Sequence, residues 1–304
     1  MRKNKFMNPD ATYSKKFLRQ RGGNKKKINR SRFGNVMMFL FLLLFGAFMV
    51  LPLVYIVITA FKPLNELFIF PPRFYVVNPT VDNFGTMMRV ISSSRVPFSR
   101  YLFNSAIIAV GGTVLGIVVG AMAAYPLAKH KFVGKTVMYN IVVWAMMFRG
   151  EVLGIPQYLI IANLGMINTY WSLLLPALAG TMSVFLMRQF MESNIPDAVI
   201  EAARIDGAGE WYIFWKIAMP NVKPAWLTLA IFNFQGMWNN TGSTFIYDEP
   251  MKMLPTALGQ VTAGGVSRQG AAAAVALILM LPPIALFIFS QSSIMQTMST
   301  SGLK

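Results

Sequence analysis

The chain has 304 residues, 55% of them hydrophobic and only 13% charged, against about 25% charged in an ordinary soluble domain. Twelve of the 28 Lys and Arg, with one acid, Asp10, lie between Arg2 and Arg32, so the remaining 272 residues carry 26 charges, fewer than one in ten. That is too little charge to keep a soluble enzyme wet, and most of the formal charge of +17 sits in the tail rather than on a face that could bind nucleic acid. The absence of Cys and the presence of one His, His130, exclude disulfides, thiolate sites and multi-histidine metal sites.

Residues 1–32 read as a basic disordered tail, or one lying on anionic lipid. The basic region and the apolar run behind it are too long for a cleavable signal peptide. A membrane-crossing helix needs about 20 apolar residues. By that measure 33–304 reads as an all-α polytopic membrane protein with six transmembrane helices, at about 33–61, 101–128, 136–152, 170–187, 224–247 and 270–289. Pro52 kinks the first, and Pro282-Pro283 lie in the middle of the sixth. The third is uncharged only to Phe148; Arg149 and Glu151 interrupt it and read as an interfacial pair, with a short re-entrant or surface segment following from Val152 to Ala162. In the second span Gly112, Gly116, Gly120, Ala124 and Ala128 recur every four residues, a small-residue stripe that lets another helix approach closely.

Lys and Arg concentrate in cytoplasmic loops. With the N-terminus inside, segments 1–32, 129–135, 188–223 and 290–304 hold 20 bases, and 62–100, 149–169 and 248–269 hold 8. Both termini are therefore expected in the cytoplasm. The tail and Lys129, Lys131 and Lys135 decide the bias, and His130 among them reads as an interface residue.

The cytoplasmic segment 188–223 is the most specific. Pro196 suits a first helical turn and Asp197 the positive end of the helix dipole. Ile195, Ala198, Val199, Ala202 and Ile205 form an apolar stripe at helical spacing, with Asp197, Glu201 and Arg204 opposite. Gly207 and Gly209 end the helix and turn the chain. Trp211 to Met219 then reads as a second, apolar helix stopped by Pro220. The expected product is a helix-turn-helix on the membrane surface, polar stripe outward, built to receive a soluble partner.

Glu201-Ala202-Ala203, Gly207, Ile217 and Pro220, at their spacing, resemble the EAA loop of binding-protein-dependent ABC importer permeases. Ile195-Pro196 and Ile205-Asp206-Gly207-Ala208 look like the carbohydrate branch, of the maltose-transporter inner-subunit kind. Met219 stands where that family usually has Leu, a swap that keeps volume and apolarity. Gly165, Asn168-Thr169-Tyr170-Trp171, Leu175-Pro176, Trp238-Asn239 and the tail Ser301-Gly302-Leu303-Lys304 are similar too, so the likeness runs over roughly 35–304.

The resemblance implies a permease subunit, not an enzyme, in the bacterial plasma membrane, forming half of the path for a carbohydrate. Its partners would be a second homologous permease, an ATPase dimer meeting Glu201, Ala202, Ala203, Asp206, Gly207, Ile217 and Pro220, an extracellular solute-binding protein and membrane lipid. It implies no cofactor in this chain, because ATP belongs to the separate ATPase; no GxxxxGK[ST] loop occurs here. A non-sugar solute such as a glycerol-phosphate compound is the alternative. A secondary transporter would be expected to carry ionisable groups in its spans, and five of the six have none. A membrane-embedded enzyme would need a nucleophile–base set, and none is visible.

In the fifth span Asn233, Gln235, Trp238, Asn239, Asn240 and Thr241 are costly in hydrocarbon unless they face another helix or a wet path. Asn and Gln can exchange hydrogen bonds with sugar hydroxyls, and Trp can cover an apolar sugar face. Helical spacing expects Trp238 and Asn240 to border the route and Phe232 and Phe245 to avoid it.

Overall fold

A computed structural model describes residues 32–148 and 150–301; the basic tail, Arg149, the side chain of Glu151 and the final Gly302-Leu303-Lys304 lie outside the described residues. The chain divides into two compact units, 1–53 and 54–304. Among the described residues there are helices and turns and no strand.

The first long helix, α1, is Arg32–Ala60, with Pro52 inside. Residues 35–53 of it are exposed, an apolar surface suited to lipid because a helix satisfies its own backbone. Among the described residues four stretches are long and apolar enough to cross a membrane: Phe33–Ala60, Phe98–Lys129, Trp171–Asn194 and Gly265–Gln291.

In the second unit, α2 (Asp82–Ser92) precedes α3 (Phe98–Lys129), the helix around which the others gather. The region expected as a third span is two consecutive helices, α4 (Lys135–Ala145) and α5 (Gly150–Asn163), each alone shorter than the about 20 residues of a single straight crossing. The fourth runs past its expected end: α6 (Trp171–Leu178) and α7 (Thr181–Asn194) are separated at Ala179-Gly180. Then come α8 (Asp197–Ile205), α9 (Lys223–Trp238), α10 (Leu254–Thr262) and α11 (Gln269–Ser301). The helix α9 ends at Trp238 rather than near Tyr247. Asn239 is its C-cap, and Asn240 turns the chain by accepting the Gly242 N–H at 2.8 Å, with Gly242 at φ +64°.

The small residues of α3 meet named neighbours. A Cβ on Gly116 would lie 2.9 Å from the Ala177 carbonyl oxygen. One on Gly120 would lie 2.6 Å from the Ser183 Cβ and 3.3 Å from the Ser183 carbonyl carbon. One on Gly112 would lie 3.0 Å from the Met237 Sδ. The stripe thus seats the α6–α7 junction and α9 against α3, with Ala124 and Ala128 buried further along it. Such contact gains dispersion energy that bulkier side chains would forbid. Helix α4 is held from one side, where the Arg188 guanidinium lies 3.7 Å over the Tyr139 ring.

Candidate functional site

The Lys129 end of α3 carries a helical hairpin, residues 195–222, whose backbone geometry follows from its sequence. Pro196, at φ −62° and ψ 138°, supplies the extended residue before α8. Lys129 Nζ, buried, donates to the Ile195 carbonyl at 2.6 Å and to Asp197 Oδ1 at 2.8 Å, tying the start of α8 to the end of α3. The Lys129 hydrogen bond holds the Asp197 carboxyl below the usual carboxylate range. At the other end Gly207 N–H reaches the Arg204 carbonyl and Ala208 N–H the Ala203 carbonyl, each at 3.0 Å, with Gly207 at φ +82°. This is a Schellman stop, which places a residue in the left-handed region where glycine is at home. A Cβ on Gly207 would meet open space, so conformation and not close approach selects glycine there.

The second arm starts at Glu210 behind Gly209 and runs through a π-helical stretch, Ile213–Ala218, to Asn221. Pro220 lies in the last turn of this arm, which ends one residue later at Asn221. Met219 N–H bonds five residues back to Phe214, a widened turn of the kind that accommodates a proline in a helix.

Burial also corrects the apolar stripe. The face packed inward carries Ile195 and Ile200, with Ala203 beside them, against Ile213, Phe214 and Ala218. The stripe Ala198, Val199, Ala202 and Ile205 faces out, and Ile205 is 86% exposed. Glu201 and Asp206 are exposed as well, so the outward side of α8 mixes charge with apolar surface. Beside it lies an open cleft of about 500 Å³ lined by Ala203, Asp206, Gly207, Tyr212 and Ile217.

One carboxylate joins three parts of this end. Glu210 Oε1 accepts from Arg204 Nε at 2.8 Å, across the glycine turn. Its Oε2 accepts from the Tyr125 hydroxyl on α3 at 3.0 Å and lies 3.1 Å from His130 Nε2. The Arg204 bond, opposed by burial and helped by Tyr125 and His130, holds the Glu210 carboxyl below its ordinary range. Arg204 Nη2 also lies 3.3 Å from the same His130 nitrogen. An arginine can only donate, so His130 Nε2 either donates to Glu210 or accepts from Arg204, and not both at once. Sequence reading missed this junction; its signal was an acid six residues after a base with two glycines between.

The polar residues after Phe232 separate. Asn233 Nδ2 donates to Ser183 Oγ at 3.3 Å, between helices. Trp238 is buried between α9 and α11, stacks on Phe234 at 5.8 Å, and donates its indole N–H to the Leu279 carbonyl at 2.9 Å. Leu279 lies four residues before Pro283, which has no N–H to offer it, so Trp238 fills that vacancy. Gln235 and Asn239 are exposed, and Asn240 is half-buried in the turn after α9. Phe232 is exposed and Phe245 buried. Among the described residues no group of three or more His, Asp or Glu could hold a metal ion.

Residues 112–300 match the family described as the binding-protein-dependent transport system inner membrane component. The chain belongs to this family. It is therefore a transport permease and a multi-pass protein of the plasma membrane. The permease is 32% identical to the protein LplC of Bacillus subtilis (strain 168) over 280 residues, 85% of this chain and 90% of that one. It is 30% identical to the diacetylchitobiose uptake system permease protein NgcG of Streptomyces coelicolor over 234 residues, 76% of this chain and 72% of that one. Its fold matches a chain in the crystal structure of a bacterial ABC transporter involved in import of the acidic polysaccharide alginate. There the TM-score is 0.70 at 22% identity, covering 86% of this chain and 98% of that chain.

Proposed function

We propose that this permease forms half of the translocation path of an ATP-driven importer for a carbohydrate, taken from an extracellular solute-binding protein. The observation that carries the reading is the hairpin 195–222. One side is pinned to α3 by Lys129, Arg204 and Glu210, and the other presents Glu201, Ala202 and Ile205 to a partner. A face that is both apolar and charged, on a rigid support, suits a protein interface. In this reading the partner is the ATPase dimer, the EAA-bearing helix is α8, Gly207 sets its end, and Ile217 and Pro220 shape the second arm. A second permease completes the path, the chain crosses the membrane six times, and the hairpin and both termini lie in the cytoplasm. The carbohydrate assignment is supported by a relative that takes up diacetylchitobiose and by an uncharged polar group, Asn233, Gln235, Asn239 and Asn240, for the route.

The test is Glu201→Lys alone and with Ile205→Asp, in membranes expressing the whole importer. The expected result is permease at normal abundance, loss of ATPase co-purification and loss of sugar uptake. Normal co-purification and normal substrate-stimulated ATP hydrolysis would refute docking at α8. Labelling of a cysteine placed at Gly209 by an impermeant reagent in intact cells would refute the orientation.

A further inference from the structure

We propose that the cavity between α3 and the second arm of the hairpin holds the ammonium headgroup of a membrane phospholipid, on Tyr125, Trp211, Phe214 and Glu210. The inference goes beyond the transport reading. It concerns the leaflet that meets this end of α3, whichever side of the membrane that is.

The cavity, about 250 Å³, is lined by Tyr125, Trp211, Phe214 and Met122, and at one side by Glu210 and His130. A pocket for a drug-sized ligand takes about 300–1,000 Å³, so this one has room for a headgroup and not for a whole lipid. Its rings stand steeply to one another. Tyr125 and Phe214 meet at 66° with centres 5.6 Å apart, and Trp211 and Phe214 at 89° and 6.4 Å. An aromatic face attracts a cation within about 6 Å of its centre, and cages of such rings bind ammonium groups.

No Lys or Arg lines the cavity. Its acid, Glu210, has a side chain 45% exposed, and its carboxyl is held below the ordinary range chiefly by the Arg204 bond. A carboxylate offers about four acceptor sites. Arg204 Nε meets Oε1, and Tyr125 and His130 meet Oε2, so Oε1 has room for one more donor. An ammonium N–H fills that place, on the same carboxylate that ties Arg204 to α3.

An ammonium group comes from a lipid, a soluble amine or a lysine of another subunit. The surroundings favour the lipid. Tyr125 lies four residues before Lys129, about 6 Å along the helix, which is headgroup depth for a membrane-crossing α3. Tyr and Trp gather at that depth. Val119 and Met122, three residues apart on one face of α3, are exposed and give acyl chains an apolar track leading to the cavity. His130 also lines a second cleft whose bases, Lys129, Lys131 and Arg204, outnumber Asp197 and Glu201, so the phosphate next to the ammonium has cations to meet. Glu201 and Ile205, on the face proposed for the ATPase, do not line the cavity.

The test places the complete importer in nanodiscs of phosphatidylglycerol with a rising share of phosphatidylethanolamine. Native mass spectrometry counts the phospholipid retained on release, for the unaltered chain, Trp211→Phe, Trp211→Leu and Glu210→Gln. The unaltered importer is expected to retain phosphatidylethanolamine in preference to phosphatidylglycerol, and Trp211→Phe to keep that preference. Trp211→Leu, apolar but without a π face, should weaken retention about tenfold, and Glu210→Gln by a similar factor. Equal retention by the unaltered chain and both weakened variants overturns the proposal. So does equal retention of phosphatidylglycerol, which makes the cavity a slot for any acyl chain. So does displacement of the lipid by free ethanolamine at the lipid's own concentration, which makes it a soluble-amine site. So does binding to the permease alone that vanishes in the complete importer, because another subunit then fills the cavity. None of these readouts uses uptake or ATP hydrolysis, so failure here leaves the transport reading standing.

Discussion

The two ends of α3 are fastened in opposite ways. Near its start the fastening is buried and made to backbone. Asn104, fully buried, donates to the carbonyls of Pro250 and Lys252 at 2.9 Å each and accepts from the Tyr170 hydroxyl, and Ser105 accepts the Leu254 N–H. Near its end the fastening rests mainly on ion pairs that reach the surface: Lys129, itself buried, pairs with the exposed Asp197, and Arg204, His130 and Glu210 are each partly exposed. Buried hydrogen bonds lose much when one partner goes, because the other stays dry and unpaired. Exposed ion pairs are worth about 0–1 kcal/mol each and weaken with salt. One end is therefore built to stay, and the other is held in position while remaining adjustable, as the proposed docking of an ATPase on the hairpin would require.

The contrast can be broken most strongly at the buried end. Asn104→Leu strands two carbonyls and one hydroxyl, and should lower stability by about 2–3 kcal/mol, read as a fall in the thermal unfolding midpoint of the purified permease. Gly120→Val drives a branched side chain into Ser183 and should cost about 1–3 kcal/mol, with loss of assembled importer on gel filtration. Gly207→Ala meets no steric obstacle, so only the positive φ is charged against it, about 1 kcal/mol, visible as a modest fall in substrate-stimulated hydrolysis.

The smallest effect on stability belongs to Glu210→Gln, below about 1 kcal/mol for a half-exposed pair. It should nonetheless reduce transport while leaving ATPase co-purification intact, and Arg204→Glu with Glu210→Arg should recover part of the loss. Acid sharpens the same point. The folded-state Glu210 and Asp197 carboxyls sit below their ordinary values, so their contribution is fully present above the ordinary carboxylate range. It is lost as pH falls through the lowered folded values. Hydrogen exchange across 195–212 should rise on that acid side while exchange near Asn104 does not change, and equal rises at both sites would refute the contrast.

What the sequence could tell follows from which signals are local. Pro196 and Gly207 mark the two ends of α8, because each acts through its own backbone. The buried face of α8 was not legible. Ile195 and Ile200 on one side and Val199 and Ile205 on another are equally apolar, and periodicity alone cannot say which of two apolar faces packs inward. The end of α9 was written in Asn239-Asn240-Thr241-Gly242, a turn signal that the surrounding apolar residues concealed. The Trp238 bond to the Leu279 carbonyl was not legible either, because it depends on a proline 45 residues later. The family resemblance rested on the hairpin, whose marking residues lie close together in sequence; the Arg204–Glu210–Tyr125 junction lay outside that pattern and needed coordinates to appear.

The Trp238 bond has a mechanical consequence. A helix missing a rung at Pro283 is the natural crease of α11, and folding there would pull the Leu279 carbonyl outward. That oxygen is held by a side chain of α9, so the crease is latched from next door. The two helices thus carry load as one beam, and whatever tilts α9 from its hairpin end drags the far half of α11 along.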